Sequence, residues 1–292
     1  MSKKNQLLDE LVNHCIKRDG PYQESYIFDN DLVKQLSIPI GFRNHNDATH
    51  IDSKAVNSPR MLEEGLSVVH LGATYTNGRR DIARHAFVRT DVFHEFEDIE
   101  RITMVKYSPG PLDEVNSSES NILSLVYNHG IIHRVLYPHD LRANPSMYMA
   151  HRTRFQPNHM VGGVKLPTGE TQAEVDMTIE YNGHVTVFEG KNYRAKRNDF
   201  AIYQLYMPYR YYYLKTRDKG LKLKELDCCY VVRKKIGGKN SIDSDIDVYR
   251  YTFDDPDELT SIRLISSERF ELRGDINRIN LEIGNPPYTV NP

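Results

Sequence analysis

Asp176, Glu189 and Lys191 place two carboxylates and an ammonium group within one short span, with a further acid at Glu174. Between them lies Asn182-Gly183, the pair that best suits a two-residue type I′ turn, and apolar and polar residues alternate on both sides of it. With that turn at the tip of a hairpin, Tyr181 faces His184, Asp176 faces Glu189 and Glu174 faces Lys191. Side chains alternate between the faces of a strand with period two, so these four charged groups share one face. Opposed like charges destabilise a sheet, and a divalent cation is one way to hold them together. Mg²⁺ takes oxygen ligands and is commonly bound by one or two carboxylates plus a substrate phosphate. Lys191 would then hold an attacking water or stabilise developing negative charge. The plainer alternative is a solvent-facing hairpin in which Glu174 pairs with Lys191. Under either reading Val175, Met177, Ile179, Tyr181 and Phe188 form the core face.

The elements that must position this hairpin can be read on either side of it. Ile122, Leu125 and Val126 share one face of a helix starting near Asn116, where Glu119 stands at the capping-box position. After Lys191 comes a basic loop containing Arg194, Lys196 and Arg197. Asn198 suits the N-cap of a helix running to about Lys215, which Pro208 would kink. Its tyrosines, from Tyr203 to Tyr213, sit at helical spacing and read as core and rim. Leu226 to Val232 then forms a buried strand ended by Arg233-Lys234-Lys235. Only two acid-x-Lys triplets occur in the chain. Asp52-Ser53-Lys54 follows a polar stretch, whereas Glu189-Gly190-Lys191 follows a strand and has a partnered acid upstream.

Asp176, twelve intervening residues and then Glu189-Gly190-Lys191 resemble the motif of the PD-(D/E)XK nuclease superfamily, which includes many type II restriction endonucleases. Val175 stands where that motif usually has proline. The resemblance covers about residues 116–235. It implies an α/β fold with a restriction-endonuclease-like αβββαβ core and an additional N-terminal region. It also implies that Asp176 and Glu189 bind Mg²⁺ and that Lys191 assists phosphodiester hydrolysis. Glu119 and Gln204 resemble accessory residues of some members, while Arg194, Lys196 and Arg197 would contact DNA phosphates. The expected substrate is double-stranded DNA, and the expected assembly is a homodimer. A non-catalytic DNA-binding module and a repair or structure-specific nuclease are the alternatives.

The rest of the chain bounds this reading. It has 292 residues, 39% hydrophobic and 27% charged, with a net charge of −2, as expected for a folded soluble protein. No apolar run is long enough to span a membrane, and the N-terminus lacks a signal-peptide core. Three cysteines, two of them adjacent, exclude a disulfide framework and fit a cytoplasmic protein. There is no P-loop motif, so no nucleotide cofactor is expected, and no GxSxG or HExxH motif. The twelve histidines are scattered and read as structural or phosphate contacts. Residues 191–240 carry a net charge of +10 and residues 241–275 a net of −6, which are either complementary solvated faces or a basic surface for phosphates. Leu7, Leu8, Leu11, Val12, Cys15 and Ile16 form a helical stripe over residues 5–17, and residues 38–110 mix short apolar runs with turn signals. The expected organisation is an N-terminal region at 1–110, mostly β after that helix and suited to DNA recognition, a nuclease core at 111–240 and a C-terminal extension at 241–292.

Overall fold

The structure is a computed structural model and describes residues 1–76, 79–108, 119–140, 142–192, 198–237 and 243–274. The chain opens with α1 (Lys3–Asp19), longer at both ends than the Leu7-to-Ile16 stripe that drives it. Ser2 caps its start, accepting from the Asn5 amide, and Gly20 ends it at positive φ. Leu7, Leu8, Leu11, Val12 and Cys15 are buried along one side. Then follow β1 (Ser25–Asp29), α2 (Asn30–Ile40), α3 (Pro59–Glu64), β2 (Ser67–Gly72) and β3 (Arg84–Val88). The strands form an antiparallel sheet in the order β1-β3-β2. This lobe is α+β: α1 matches its stripe, α2 is a helix that the sequence pattern did not announce, and most of the regular structure beyond it is strand, as expected. Its short helices are set by local caps: Asp29 accepts from the Leu32 amide, and Ser58 precedes a proline at the first helical turn.

Beyond β4 (Phe93–Glu95) lies a large sheet, built from β5 (Arg101–Tyr107), β6 (Ser146–Phe155), β7 (Thr171–Tyr181), β8 (His184–Asn192), β10 (Glu225–Lys235), β11 (Ser244–Phe253) and β12 (Ile262–Gly274). A short strand, β9 (Asp199–Ala201), pairs with β4 outside it. The seven strands run in the order β5-β12-β11-β10-β8-β7-β6. Only β8–β10 and β12–β5 are parallel pairs, so the sheet is mixed and mostly antiparallel. The helices α4 (Glu119–Asn128) and α5 (Ile131–Leu136) precede β6, and α6 (Tyr203–Asp218) links β8 to its parallel neighbour β10.

The central strands of the sheet are buried on both faces, whereas the edge strands β5 and β6 are largely exposed. Ile122, Leu125 and Val126 of α4 pack with Met177, Ile179, Phe188, Cys229 and Val231 on one face, in agreement with the helical stripe. On the other face Val187, Cys228, Tyr230 and Tyr249 share a core with α6 and with the N-terminal lobe. Tyr206 and Tyr209 are buried there and the remaining tyrosines of α6 form its rim, as their spacing predicts. Strand β5, N-terminal to residue 110, is an edge of this sheet, and β11 and β12 extend it beyond residue 240. No helix among the described residues is long and apolar enough to cross a membrane.

One expectation fails at the start of α6. Asn198 is not its cap, because Asp199–Ala201 is drawn into a strand against Phe93–Glu95 and the helix begins only at Tyr203. Asp199 accepts hydrogen bonds from the Ser53 hydroxyl and the Lys54 amide, which fixes this segment against the N-terminal lobe.

Candidate active site

The acidic hairpin forms as the turn chemistry requires. Asn182 and Gly183 both adopt positive φ, at 54° and 84°, and Tyr181 pairs with His184. The ladder continues in register to Met177↔Phe188. One step further, the Gly190 amide donates to Asp176 Oδ2 at 3.2 Å, which sets Asp176 against the Glu-Gly-Lys triplet. Thr178, two residues from Asp176, donates its hydroxyl to Tyr212 of α6. Val187, two residues before Glu189, packs in the α6-side core. Alternation therefore turns Asp176, Glu189 and Lys191 toward the face that α6 covers.

That face opens into a cleft of about 390 Å³, lined by Glu174, Glu189, Lys191 and Gln204 among others. Lys191 Nζ lies 2.9 Å from Glu189 Oε1, and Glu189 is 9% exposed. Gln204, on the first turn of α6, accepts from the Tyr230 hydroxyl at 3.2 Å. The expected Glu174–Lys191 pairing is replaced: the ladder to β8 ends at Met177↔Phe188, while β6 pairs along β7 to Thr171, so Glu174 pairs with Arg152 and their charges meet at 3.0 Å. Arg194, Lys196 and Arg197 lie outside the described residues, as does the side chain of Glu119, the first residue of α4.

The N-terminal lobe also lines the cleft. Reciprocal backbone hydrogen bonds join Ala73 to Glu170, just ahead of β7, at 2.9 and 2.7 Å. Gly72 makes this approach, since its φ of 72° and the Glu170 carbonyl beside it leave no place for a side chain. The lobe presents His50, His70, His85, Arg80 and Arg84. His50 Nε2 lies 3.1 Å from Asp52 Oδ1, and Asp52 also accepts from the Tyr203 hydroxyl at 3.4 Å. The hydrogen bond that His50 donates to the Asp52 carboxylate raises the His50 pKa above its ordinary value. Burial instead pushes His70 down to about 4 and His85 down to about 3, so both are neutral near pH 7. Sequence reading set these histidines aside and treated Asp52-Ser53-Lys54 as an irrelevant triplet. The His50-x-Asp52 spacing was the available signal, but nothing local announces that His50 lines the same cleft as Lys191.

A family model described as a domain of unknown function (DUF6997) matches residues 88–271. The chain belongs to this family. No curated protein and no solved structure matches the chain. The DUF6997 segment runs from the end of β3 into β12 and contains Asp176, Glu189, Lys191 and Gln204, while His50 and Asp52 lie before it.

The donor set suits a hard cation. Asp176 and Glu189 offer carboxylate oxygens from adjacent strands, which fits Mg²⁺ and gives no soft ligand for zinc. Among the described residues no three His, Cys, Asp or Glu side chains are grouped to hold a metal. A Mg²⁺ on two carboxylates is therefore one that substrate phosphate and water complete.

Proposed function

We propose that this protein is a Mg²⁺-dependent endonuclease that hydrolyses phosphodiester bonds of double-stranded DNA at specific sequences, as type II restriction enzymes do. The observation that carries the reading is the joint placement of Asp176, Glu189 and Lys191 on the α6 face of one hairpin, with Glu189 and Lys191 lining the cleft. Residues 119–235 support it through their order of helices, strand, hairpin, helix and strand, with β10 parallel to β8, which is the order expected of an αβββαβ nuclease core.

In this reading Asp176 and Glu189 would hold the cation. When bound, it supplies positive charge to the phosphoryl oxygens and lowers the pKa of water. Lys191, oriented by Glu189, holds the attacking water by hydrogen bonding and stabilises charge on the phosphate. Arg80 and Arg84 of the N-terminal lobe supply cations for the flanking backbone. A homodimer would present two such clefts to the two strands of a duplex.

The test is a digest of genomic DNA with Mg²⁺ and with EDTA, followed by sequencing of the fragment ends. Fixed ends that require Mg²⁺ support the reading. Random ends shift it to a non-specific or structure-directed nuclease. DNA binding without cleavage under any divalent ion contradicts it in favour of a binding module.

A further inference from the structure

We propose that His50 is the general acid of this reaction, giving a proton to the oxygen that leaves phosphorus. The inference rests on the nuclease reading above and concerns the half of the chemistry that Asp176, Glu189 and Lys191 leave unserved. A carboxylate pair with an ammonium group promotes attack, but an alkoxide leaves poorly unless it is protonated or otherwise neutralised.

His50, from the N-terminal lobe, lines the same cleft as Glu189 and Lys191. Its side chain is 52% exposed, so it can meet a ligand and exchange protons with solvent. Asp52 holds Nε2 at 3.1 Å, which favours the imidazolium form and leaves Nδ1 as the nitrogen that presents a proton. The groups around it are Asp52 and Asp47, Lys4 of α1, Tyr203 of α6 and the neutral His70, with Glu189 close enough to Tyr203 to act on its ionisation. The balance raises the His50 pKa, the direction a proton donor near neutral pH requires. His70, His85 and His159 line the same cleft, but burial holds all three well below neutrality.

The placement is also rigid. Lys4 Nζ donates to the His50 carbonyl at 2.6 Å, and the Ala201 amide donates to the Asp52 carbonyl at 3.1 Å. Together with Asp199 on Ser53 and Lys54, these bonds fasten the His50 loop to the segment that enters α6. Tyr203, which meets Asp52, is adjacent to Gln204 in that first turn, and both line the cleft.

The step balances as follows. Water oxygen bonds to phosphorus, the bond from phosphorus to the leaving oxygen breaks, and that oxygen takes the Nδ1 proton. The attacking water gives its proton to solvent, and the neutral imidazole regains one from solvent.

The experiment compares wild type, His50→Ala and His50→Gln on two duplexes carrying the cleaved site found in the genomic digest. One duplex is ordinary and the other carries sulfur in place of the leaving oxygen, because a thiolate departs without protonation. The ordinary duplex should be cut about a hundredfold or more slowly by both variants. On the sulfur duplex the variants should come within about threefold of wild type. Asp52→Asn, a positioning change, should move the alkaline limb of the pH–rate profile to lower pH. Equal slowing of both duplexes, or no slowing of the ordinary one, overturns the assignment while leaving the nuclease reading intact. Failure of wild type to cut any DNA overturns the nuclease reading itself, and this proposal with it. Thermal unfolding of each variant shows whether a loss reflects misfolding, and His50→Gln provides a folded comparison.

Discussion

Glu189 and Asp247 are acids on the same face of the same sheet, and they do different things. One strand separates them: Lys191, two residues after Glu189, pairs with Val232 of β10, and Val232 pairs with Asp247 of β11. Asp247 is completely buried, and Arg269 grips it with two hydrogen bonds at 2.6 and 2.9 Å. Lys234 adds a third at 2.7 Å. Burial pushes its pKa up, but the hydrogen bonds from Arg269 and Lys234 outweigh burial and hold it below the usual carboxylate value. Two cations from neighbouring strands make Asp247 a fastener between strands. Glu189 is also largely buried, yet it opens onto a cleft with Lys191, and Asp176 on the adjoining strand accepts from the amide of the next residue, Gly190. A buried acid alone does not mark a site; the proposal for Glu189 rests on the acid of the neighbouring strand and on room for a ligand.

Removing one acid from each cluster should separate the two roles. The largest effect is expected from Asp176→Ala or Glu189→Gln, which should slow Mg²⁺-dependent cleavage about a thousandfold by steady-state assay, with little change in melting temperature. Asp247→Ala should do the reverse. It leaves Arg269 and Lys234 without their shared partner and should cost about 3 kcal/mol in urea unfolding, with cleavage per folded molecule retained.

A smaller, pH-dependent effect belongs to the histidine wall. The folded pKa values of His70 and His85 lie below the ordinary 6.5, so the unfolded chain binds more protons between that pH and about 4. Stability should therefore fall as pH drops from about 6.5 to about 4, by up to about 1.4 kcal/mol per pH unit for each histidine. His70→Gln should flatten that slope in unfolding measurements taken across the window. The smallest effect is expected from Arg152→Ala, which removes an exposed ion pair to Glu174 and should change stability by less than about 1 kcal/mol.

Much of the hairpin was legible because its causes are local. Asn182-Gly183 sets the turn, the turn sets the register, and period-two alternation assigns the faces. The α4 stripe and the strand from Leu226 were legible for the same reason. The failures have long-range causes. Asn198 has the chemistry of a cap, but the residues after it pair with Phe93–Glu95, a partner that no local pattern reveals. The charge contrast between residues 191–240 and 241–275 resolves in part into pairing, since Lys234 on β10 meets Asp247 on β11. The His50–Asp52 pair became visible only once the Ala73–Glu170 and Ser53–Asp199 contacts had folded the N-terminal lobe over the hairpin.

The central claim is that Asp176, Glu189 and Lys191 form a metal-dependent phosphodiesterase site. Its most direct test is cleavage of a plasmid carrying the mapped site, at a fixed concentration of folded protein in Mg²⁺, by wild type, Asp176→Ala and Asp247→Ala. Discrete cutting by wild type and Asp247→Ala, with none by Asp176→Ala, is the predicted result. Undiminished cutting by Asp176→Ala would contradict it.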